Sequence, residues 1–206
     1  MIYRVCVNSH FLRIATYAQG ANSRFPVQYL RTADTRNILS ALAAREDGTP
    51  ISTDKQRRIH TEALWDEQLV NSLTERFSKG HWIFARNATS TPLITSDNPM
   101  SFRTGDNRQW RKAGILAAGV YVVFALAPDI VLYAYPDEPK YQALAKFADC
   151  LSPVDLSEEM VESENSGQVF MASRFVISNR NNFEAERAFA LTIGTDLYAD
   201  PVTCHG

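Results

Sequence analysis

The segment Ser96-Asp97-Asn98-Pro99 carries the side chains of this chain that are best suited to chemistry. It follows the apolar run at residues 92–95, which is typical of a β-strand, and Pro99 biases the backbone of Asn98 towards an extended conformation. The pattern therefore predicts a strand that ends abruptly at a turn. Loops held by a rigid scaffold often carry binding and catalytic residues, so this turn is the first candidate site.

Two roles are open for Asp97 and Asn98. In a functional role, Asp97 would act as a base or bind a divalent cation such as Mg²⁺, and the Asn98 amide would orient a substrate. In an architectural role, the Asp97 carboxylate would accept hydrogen bonds from backbone N–H groups two residues further along, as in an Asx-turn. A metal site would need a second carboxylate, and the candidates are Asp106, Asp129, Glu158, Glu159 and Glu162.

Nucleophilic chemistry at Ser96 would need a neighbouring base, and the chain has four histidines: His10, His60, His81 and His205. Because no G-x-S-x-G elbow surrounds Ser96, the sequence argues against a serine hydrolase. His81 begins a predicted strand and could point into a cleft as a catalytic group. The alternative is a histidine that is hydrogen-bonded at a strand edge.

A basic loop at residues 103–112 follows the turn and contains Arg103, Arg108, Trp110 and Arg111. Cations beside an aromatic ring suit phosphates and unstacked bases, so these residues are candidate substrate-binding groups. The alternative is a solvated hairpin loop whose tryptophan packs against the sheet. Arg174 precedes a predicted strand, where its guanidinium could bind either a carboxylate such as Asp97 or a ligand phosphate.

These candidates must be positioned by helices before residue 80 and by strands after it. Asp34 or Thr35 can cap a helix that continues to Ala44, and Thr53 or Asp54 can cap a long helix that ends at Lys79 and Gly80. Four-residue spacing within that long helix predicts a core stripe. The stripe consists of Trp65, Leu69, Leu73 and Phe77.

Short apolar runs then predict strands. Residues 81–85 and 93–95 are expected to form a hairpin, and residues 118–127 and 130–135 form two buried strands. Further elements are expected as a strand at 2–7, a helix at 139–147, a helix that begins at Pro153 or Ser157 and runs towards Ala172, a helix at 183–190 and a closing strand at 174–178. The pattern predicts a single α+β domain over 1–206, mainly helical at 1–80, with the sheet core at 81–135 and helices plus a closing strand at 136–206. The sheet is expected to be mixed or antiparallel, with about five strands flanked by helices.

Composition limits the classes of protein. The chain has 206 residues, of which 45% are hydrophobic and 21% charged, with a formal net charge of −2. This balance fits one globular domain and lacks the broad positive field of a non-specific nucleic-acid binder. Cys6, Cys150 and Cys204 have no metal-site spacing, and no apolar run resembles a signal peptide or reaches about 18 residues. We therefore expect a soluble, cytoplasmic protein with no membrane partner.

Four blocks resemble a mainly microbial family catalogued as domain of unknown function 4238. The blocks are Trp82-Ile83-Phe84, then residues 93–99, residues 123–129 and residues 172–178. The resemblance covers roughly residues 55–180, and Ser-Asp-Asn-Pro is its most specific element. Such proteins usually begin with a His-Tyr-Val-Pro-like motif, for which residues 1–30 offer no equivalent. The resemblance implies an α+β domain and draws attention to Ser96, Asp97, Asn98 and Arg174, but it implies no reaction.

Two functional hypotheses of different class follow. The first is an enzyme or binder that acts at the Ser96-Asp97-Asn98 turn on a phosphate-containing substrate, such as a nucleotide or nucleic acid, with Mg²⁺ or another divalent cation as a candidate cofactor. The second is a non-catalytic domain that recognises a protein partner or serves regulation, in which the turn is architectural.

Overall fold

The computed structural model describes residues 24–105, 110–112, 115–148 and 154–193. The first part of these residues forms helices. They are α1 (Arg24–Leu30), α2 (Ala33–Asp47), α3 (Thr53–Trp65) and α4 (Glu67–Lys79). Thr32 caps α2 and Ser52 caps α3, because each side chain accepts a hydrogen bond from the backbone N–H three residues later. The caps predicted at Asp34 or Thr35 and at Thr53 or Asp54 are therefore one to three residues too late.

The prediction of one long helix from Thr53 to Lys79 is wrong, because the helix is interrupted at Asp66. The Asp66 carboxylate accepts hydrogen bonds from the N–H groups of Gln68 at 2.9 Å and Leu69 at 3.0 Å, and so begins a new helix. The break separates Trp65 from the rest of its predicted stripe. Trp65 is 81% exposed, while Leu73 is fully buried.

A mixed sheet of six strands confirms the predicted α+β fold. Its strands, in chain order, are β1 (His81–Asn87), β3 (Met100–Thr104), β4 (Trp110–Arg111), β5 (Val120–Ala127), β6 (Ile130–Tyr135) and β7 (Val154–Leu156). Their spatial order is β4-β3-β5-β6-β1-β7, and only the β1–β7 pair is parallel among the described strands.

The expected hairpin between residues 81–85 and 93–95 is wrong. Both edges of β1 are taken, one by β6 and the other by β7. The short strand β2 (Thr95–Ser96) instead pairs with β8 (Val176–Ile177) in a separate antiparallel sheet of two strands. The turn therefore lies against a segment from the far end of the chain.

The remaining elements fall close to their predicted positions. A 3₁₀ helix, Pro139–Leu144, leads into the short helix α5 (Ala145–Ala148), and α6 (Glu158–Met171) and α7 (Glu184–Thr192) follow. The Ser157 hydroxyl caps α6 by accepting from Met160 N–H, as one of the two predicted starts expected. The alternative start at Pro153 is wrong, because residues 154–156 form β7. The predicted strand at residues 2–7 and all three cysteines lie outside the described residues.

Apolar clusters cover both faces of the sheet. On one face, Phe102 and Val122 pack with Leu73 and Phe77 of α4. On the other face, Ile83, Val123 and Tyr133 pack with Val161 of α6 and Leu156 of β7. The sheet is thus the middle layer between two sets of helices, as in other layered α+β domains. Within the described ranges, no helix has both the length and the apolar character needed to cross a membrane.

The break at Asp66 predicts opposite outcomes for two residues of one sequence stripe. Leu73→Ala should lower the free energy of unfolding by about 2–5 kcal/mol, because it leaves a cavity in the core. Trp65→Ala should change it by no more than about 0.5 kcal/mol, because the indole lies in solvent. Urea denaturation of both variants checks this, and a large loss for Trp65→Ala would contradict the two-helix arrangement.

Candidate functional site

The turn at residues 96–98 is closed by its first residue. The Ser96 hydroxyl accepts a hydrogen bond from Asn98 N–H at 3.2 Å and donates to the Asn98 carbonyl oxygen at 2.8 Å. Ser96 is buried, so its hydroxyl is engaged in shaping the turn. This arrangement gives the turn a structural reason for a serine at this position.

The Asn98 amide connects three distant parts of the chain. Its Oδ1 accepts from Asp34 N–H at 3.2 Å, and its Nδ2 donates to the Met171 carbonyl oxygen and the Ser173 hydroxyl, both at 2.9 Å. Asn98 is only 2% exposed. Both ends of the amide therefore hold protein groups: the beginning of α2 and the end of α6.

The Asp97 carboxylate binds a row of backbone N–H groups. Its Oδ1 accepts from Ser173 at 3.0 Å, Arg174 at 3.3 Å and Phe175 at 3.4 Å. The Asx-turn prediction expected donors two residues further along the chain, and it is wrong, because these donors lie 76 to 78 residues away. The segment after α6 leaves consecutive N–H groups without helical partners, and a carboxylate satisfies them.

Electrostatics favour the charged form of Asp97. Burial raises the pKa of Asp97, but the N–H groups of Ser173, Arg174 and Phe175 outweigh it and hold the pKa below its ordinary value. Arg174 Nε lies 3.6 Å from Asp97 Oδ2, as the ion-pair interpretation of Arg174 expected, although the Arg174 side chain is 69% exposed. The carboxylate therefore remains ionised at neutral pH.

The carboxylates proposed as metal ligands do not gather around Asp97. Asp129, Glu158, Glu159 and Glu162 are exposed, and Asp106 lies outside the described residues. Across the described ranges, no group of three His, Cys, Asp or Glu side chains has the arrangement that a metal ion would need. The hypothesis of a Mg²⁺ site at the turn thus gains no geometric support.

A buried ion pair beside the turn escaped sequence analysis. Lys112 Nζ lies 3.2 Å from Asp34 Oδ1 and donates to the Met171 carbonyl oxygen at 3.0 Å. Burial lowers the pKa of Lys112, and the attraction of Asp34 opposes this shift. The two residues are 78 positions apart, and no local pattern signals such a pair.

Polar side chains of α6 hold the segment before and after the turn. Asn165 Oδ1 accepts from Ile94 N–H at 3.0 Å, and its Nδ2 donates to the Pro92 carbonyl oxygen at 3.0 Å. Gln168 Nε2 donates to the Pro99 carbonyl oxygen at 2.9 Å. Asn165 and Gln168 are three positions apart in the helix and lie on one side of it. They were not predicted as site residues, because their role depends on which segment packs there.

Residues of the basic loop also contact other parts of the protein. Arg103 is buried against Glu164, at 3.1 Å from Nη1 to Oε1, and its guanidinium lies 4.5 Å from the centre of the Trp110 ring. Trp110 Nε1 donates to the Ser166 hydroxyl of α6 at 3.0 Å, and the ring packs against the apolar cluster on the second face of the sheet, as the alternative of a tryptophan packed on the sheet expected. Arg111 is half-buried on the edge strand β4, and Arg108 lies outside the described residues.

His81 lies apart from the turn. It pairs with Tyr135 at the beginning of β1, and its Nε2 is 4.0 Å from Asp137 Oδ1. Its described contacts do not include Ser96, Asp97 or Asn98. The structure therefore does not bring together the three residues proposed as catalytic.

A cavity of about 600 Å³ lies between the sheet and the helices that cover its second face. Residues of β1, β3, β5, β6 and β7 line one side, and the 3₁₀ helix, α5 and α6 line the other. Besides tyrosines, its apolar lining consists of Ile83, Ala85, Ala143, Leu144, Phe147, Val154, Leu156 and Met160. No local sequence pattern marks this site, because its residues come from eight separate elements.

Four tyrosines form the aromatic part of the cavity: Tyr121, Tyr133, Tyr135 and Tyr141. The rings of Tyr121 and Tyr135 stack with centres 4.5 Å apart, and Tyr141 lies 5.0 Å from Tyr135. The Tyr141 hydroxyl donates to the Gly119 carbonyl oxygen at 2.7 Å, which fixes its ring. A Cβ atom at Gly105 would overlap this hydroxyl, so the glycine is required there.

One end of the cavity is polar. Glu164 Oε1 accepts from Arg103 Nη1 and from the Tyr133 hydroxyl, each at 3.1 Å, and Arg103 Nη2 donates to the Ser163 hydroxyl at 2.7 Å. Burial, together with the negative charge of Glu164, raises the pKa of Tyr133. The Tyr133 phenol therefore stays protonated and serves as a donor.

Comparison with known proteins gave a family match. A family model with the description "Protein of unknown function (DUF4238)" matches residues 8–182. The match begins well before residue 55, and so includes most of the amino-terminal segment that sequence analysis set apart. No curated protein and no solved structure matches the chain.

The Asp97 carboxylate predicts a pH-dependent contribution to stability. Because the pKa of Asp97 is lower in the folded chain than in the unfolded chain, its charge stabilises the fold at neutral pH. This contribution declines as the pH falls from the ordinary carboxyl value of about 4 through the folded value. Asp97→Asn should therefore lower the free energy of unfolding by about 1–3 kcal/mol at pH near 7, and by less at pH near 3.

Urea denaturation of wild type and variant at both pH values measures this difference. Asp129→Asn is the matched control, since it removes an exposed carboxylate, and it should change stability by no more than about 0.5 kcal/mol. If Asp97→Asn lowered the free energy of unfolding equally at both pH values, the charge of Asp97 would not stabilise the fold, and the prediction would be wrong.

Proposed function

The chain belongs to the DUF4238 family of proteins of unknown function, and we propose that it is a non-catalytic ligand-binding domain whose small organic ligand occupies the tyrosine-lined cavity. In this proposal the Ser96-Asp97-Asn98 turn is architectural. Its task is to hold α6 in place, and α6 forms one wall of the cavity.

The cavity itself is the observation that carries the proposal. Its volume of about 600 Å³ lies in the usual range for small-molecule sites, which is about 300–1,000 Å³. Such sites combine a mainly apolar and aromatic lining with a few convergent polar groups. Here the apolar groups surround the tyrosines, and the polar groups gather around Glu164.

Catalysis at the turn has less support. The Asp97 carboxylate and the Asn98 amide already bind backbone groups of the segment that follows α6. A substrate at the Asn98 amide or at Asp97 Oδ1 would have to displace these bonds, and each group left buried without a partner costs about 1–3 kcal/mol. Asp97 Oδ2 accepts no described hydrogen bond, but it is buried beside Arg174 Nε, so a substrate would first have to expose it. This cost favours the architectural role.

The tyrosine rings favour a flat ligand. Aromatic rings attract each other in offset-stacked or edge-to-face arrangements, worth about 0.5–1.5 kcal/mol per pair beyond the burial of area. Tyr121 and Tyr141 are buried, while Tyr135 is half-buried and faces the cavity. An aromatic ligand would thus gain from both apolar burial and ring contacts.

Blocking the cavity tests the proposal. Ala143 lines the cavity from the 3₁₀ helix and is exposed, so Ala143→Trp should fill the site without disturbing the core. Phenylnaphthylamine, an uncharged fluorescent aromatic probe, should bind the wild-type chain, and Ala143→Trp should weaken binding at least about tenfold.

Gln142→Trp is the matched control, because it adds the same side chain at the neighbouring exposed position outside the cavity lining. It should leave the dissociation constant of the probe within about twofold of wild type, a change of under 0.5 kcal/mol in binding free energy. Equal binding by the wild type and both variants, or no binding by the wild type, would sink the proposal.

A further inference from the structure

We propose that the ligand of this cavity is a neutral, flat heterocycle or aromatic amide whose edge presents neighbouring hydrogen-bond donor and acceptor atoms to the Arg103–Glu164 pair. The proposal rests on the proposed function, which places a ligand in the cavity. It adds the chemical class of that ligand.

The Arg103–Glu164 pair is part of the cavity wall. Both side chains line the cavity, and they are only 9% and 7% exposed. The Trp110 ring lies against one side of the Arg103 guanidinium, with its centre 4.5 Å from the central carbon. The Ser163 hydroxyl accepts a hydrogen bond from Arg103 Nη2. Gly167 makes room for the indole, since a Cβ atom there would overlap it. The pair is therefore held in position before a ligand arrives.

Charge balance selects a neutral ligand. Arg103 and Glu164 compensate each other, and the two other charged residues of the lining, Lys140 and Glu159, are also opposite in sign, so the lining carries no formal net charge. A charged group brought there would lose its hydration without gaining an uncompensated partner, and that loss costs several kcal/mol. Arg103 is consequently a weaker candidate for a ligand phosphate than its sequence position predicted.

Hydrogen-bonding capacity selects the edge of the ligand. A guanidinium has five N–H donors, and a carboxylate can accept about four hydrogen bonds. With these capacities, we expect the pair to donate one N–H to a carbonyl or ring nitrogen of the ligand and to accept one hydrogen bond from the adjacent N–H of the ligand. A site of this kind rejects an analogue without polar atoms, because its buried groups would then face an apolar surface.

Removing the pair gives the decisive variant. The double substitution Arg103→Met with Glu164→Leu removes both charges at similar volume. It also removes the acceptor of the Tyr133 hydroxyl, so the fold of this variant is compared with that of the wild-type chain. The matched control is Arg86→Met with Asp155→Leu. That pair also joins two elements, at 2.8 Å, but it is exposed and lies outside the cavity lining.

Carbostyril and naphthalene are the probes, because they have nearly the same shape and only carbostyril carries an adjacent N–H and carbonyl. Calorimetric titration should show that the wild-type chain prefers carbostyril at least about tenfold. The preference should persist in the Arg86/Asp155 variant and fall to about one in the Arg103/Glu164 variant. Naphthoate and naphthylmethylammonium, as charged analogues, should bind more weakly than carbostyril.

The outcomes separate the two proposals. Equal binding of carbostyril and naphthalene by the wild-type chain would overturn this inference and leave the cavity proposal standing. Tighter binding of naphthoate or of naphthylmethylammonium would also overturn it. Binding of phenylnaphthylamine but of none of the four probes would overturn this inference alone, and binding of none of the five would overturn the cavity proposal as well. The wild-type ratio decides the matter even if the double variant fails to fold, which circular dichroism would show.

Discussion

The buried amide of Asn98 holds together parts of the chain that are distant in sequence. It binds the first turn of α2 through Asp34 N–H and the last turn of α6 through the Met171 carbonyl oxygen, which also accepts from Lys112. A buried polar group without a partner costs about 1–3 kcal/mol, so these segments must meet at this point. Glu164, in the first half of α6, lines the cavity. The geometry of the cavity therefore depends on a turn that lies outside it.

Local signals were sufficient for much of the fold. The strands at 120–127 and 130–135 were predicted within two residues, because nearly continuous apolar runs separated by a Pro-Asp pair specify a buried hairpin. Helix α6 was likewise predicted, since Ser157 supplies a cap and Glu158 and Glu159 suit its first turn. Chemistry that acts over three or four residues can be read from the chain itself.

Contacts between distant segments could not be predicted in the same way. Trp65 matched the spacing of a core stripe, but the local cap at Asp66 ended the helix and turned the indole to solvent. Asp97 was recognised as a turn residue, yet its donors come from residues 173–175. Arg103 was predicted to bind a ligand, because its partner in the structure, Glu164, is 61 residues away in the sequence and could not be recognised. In each case the deciding partner belongs to another element, and one sequence does not specify which elements meet.

The parallel strand β7 has a consequence for the order of folding. It joins β1 across a long stretch of chain, with Arg86 and Asp155 separated by 69 residues, whereas β5 and β6 are neighbours in sequence. Closing a long loop costs entropy before the pairing repays it, and such pairings form slowly. We therefore expect the antiparallel hairpins to assemble first and the β7–α6 unit to dock onto them later. The cavity would then be the last part of the molecule to mature, and a chain released early from synthesis would expose its tyrosines to solvent.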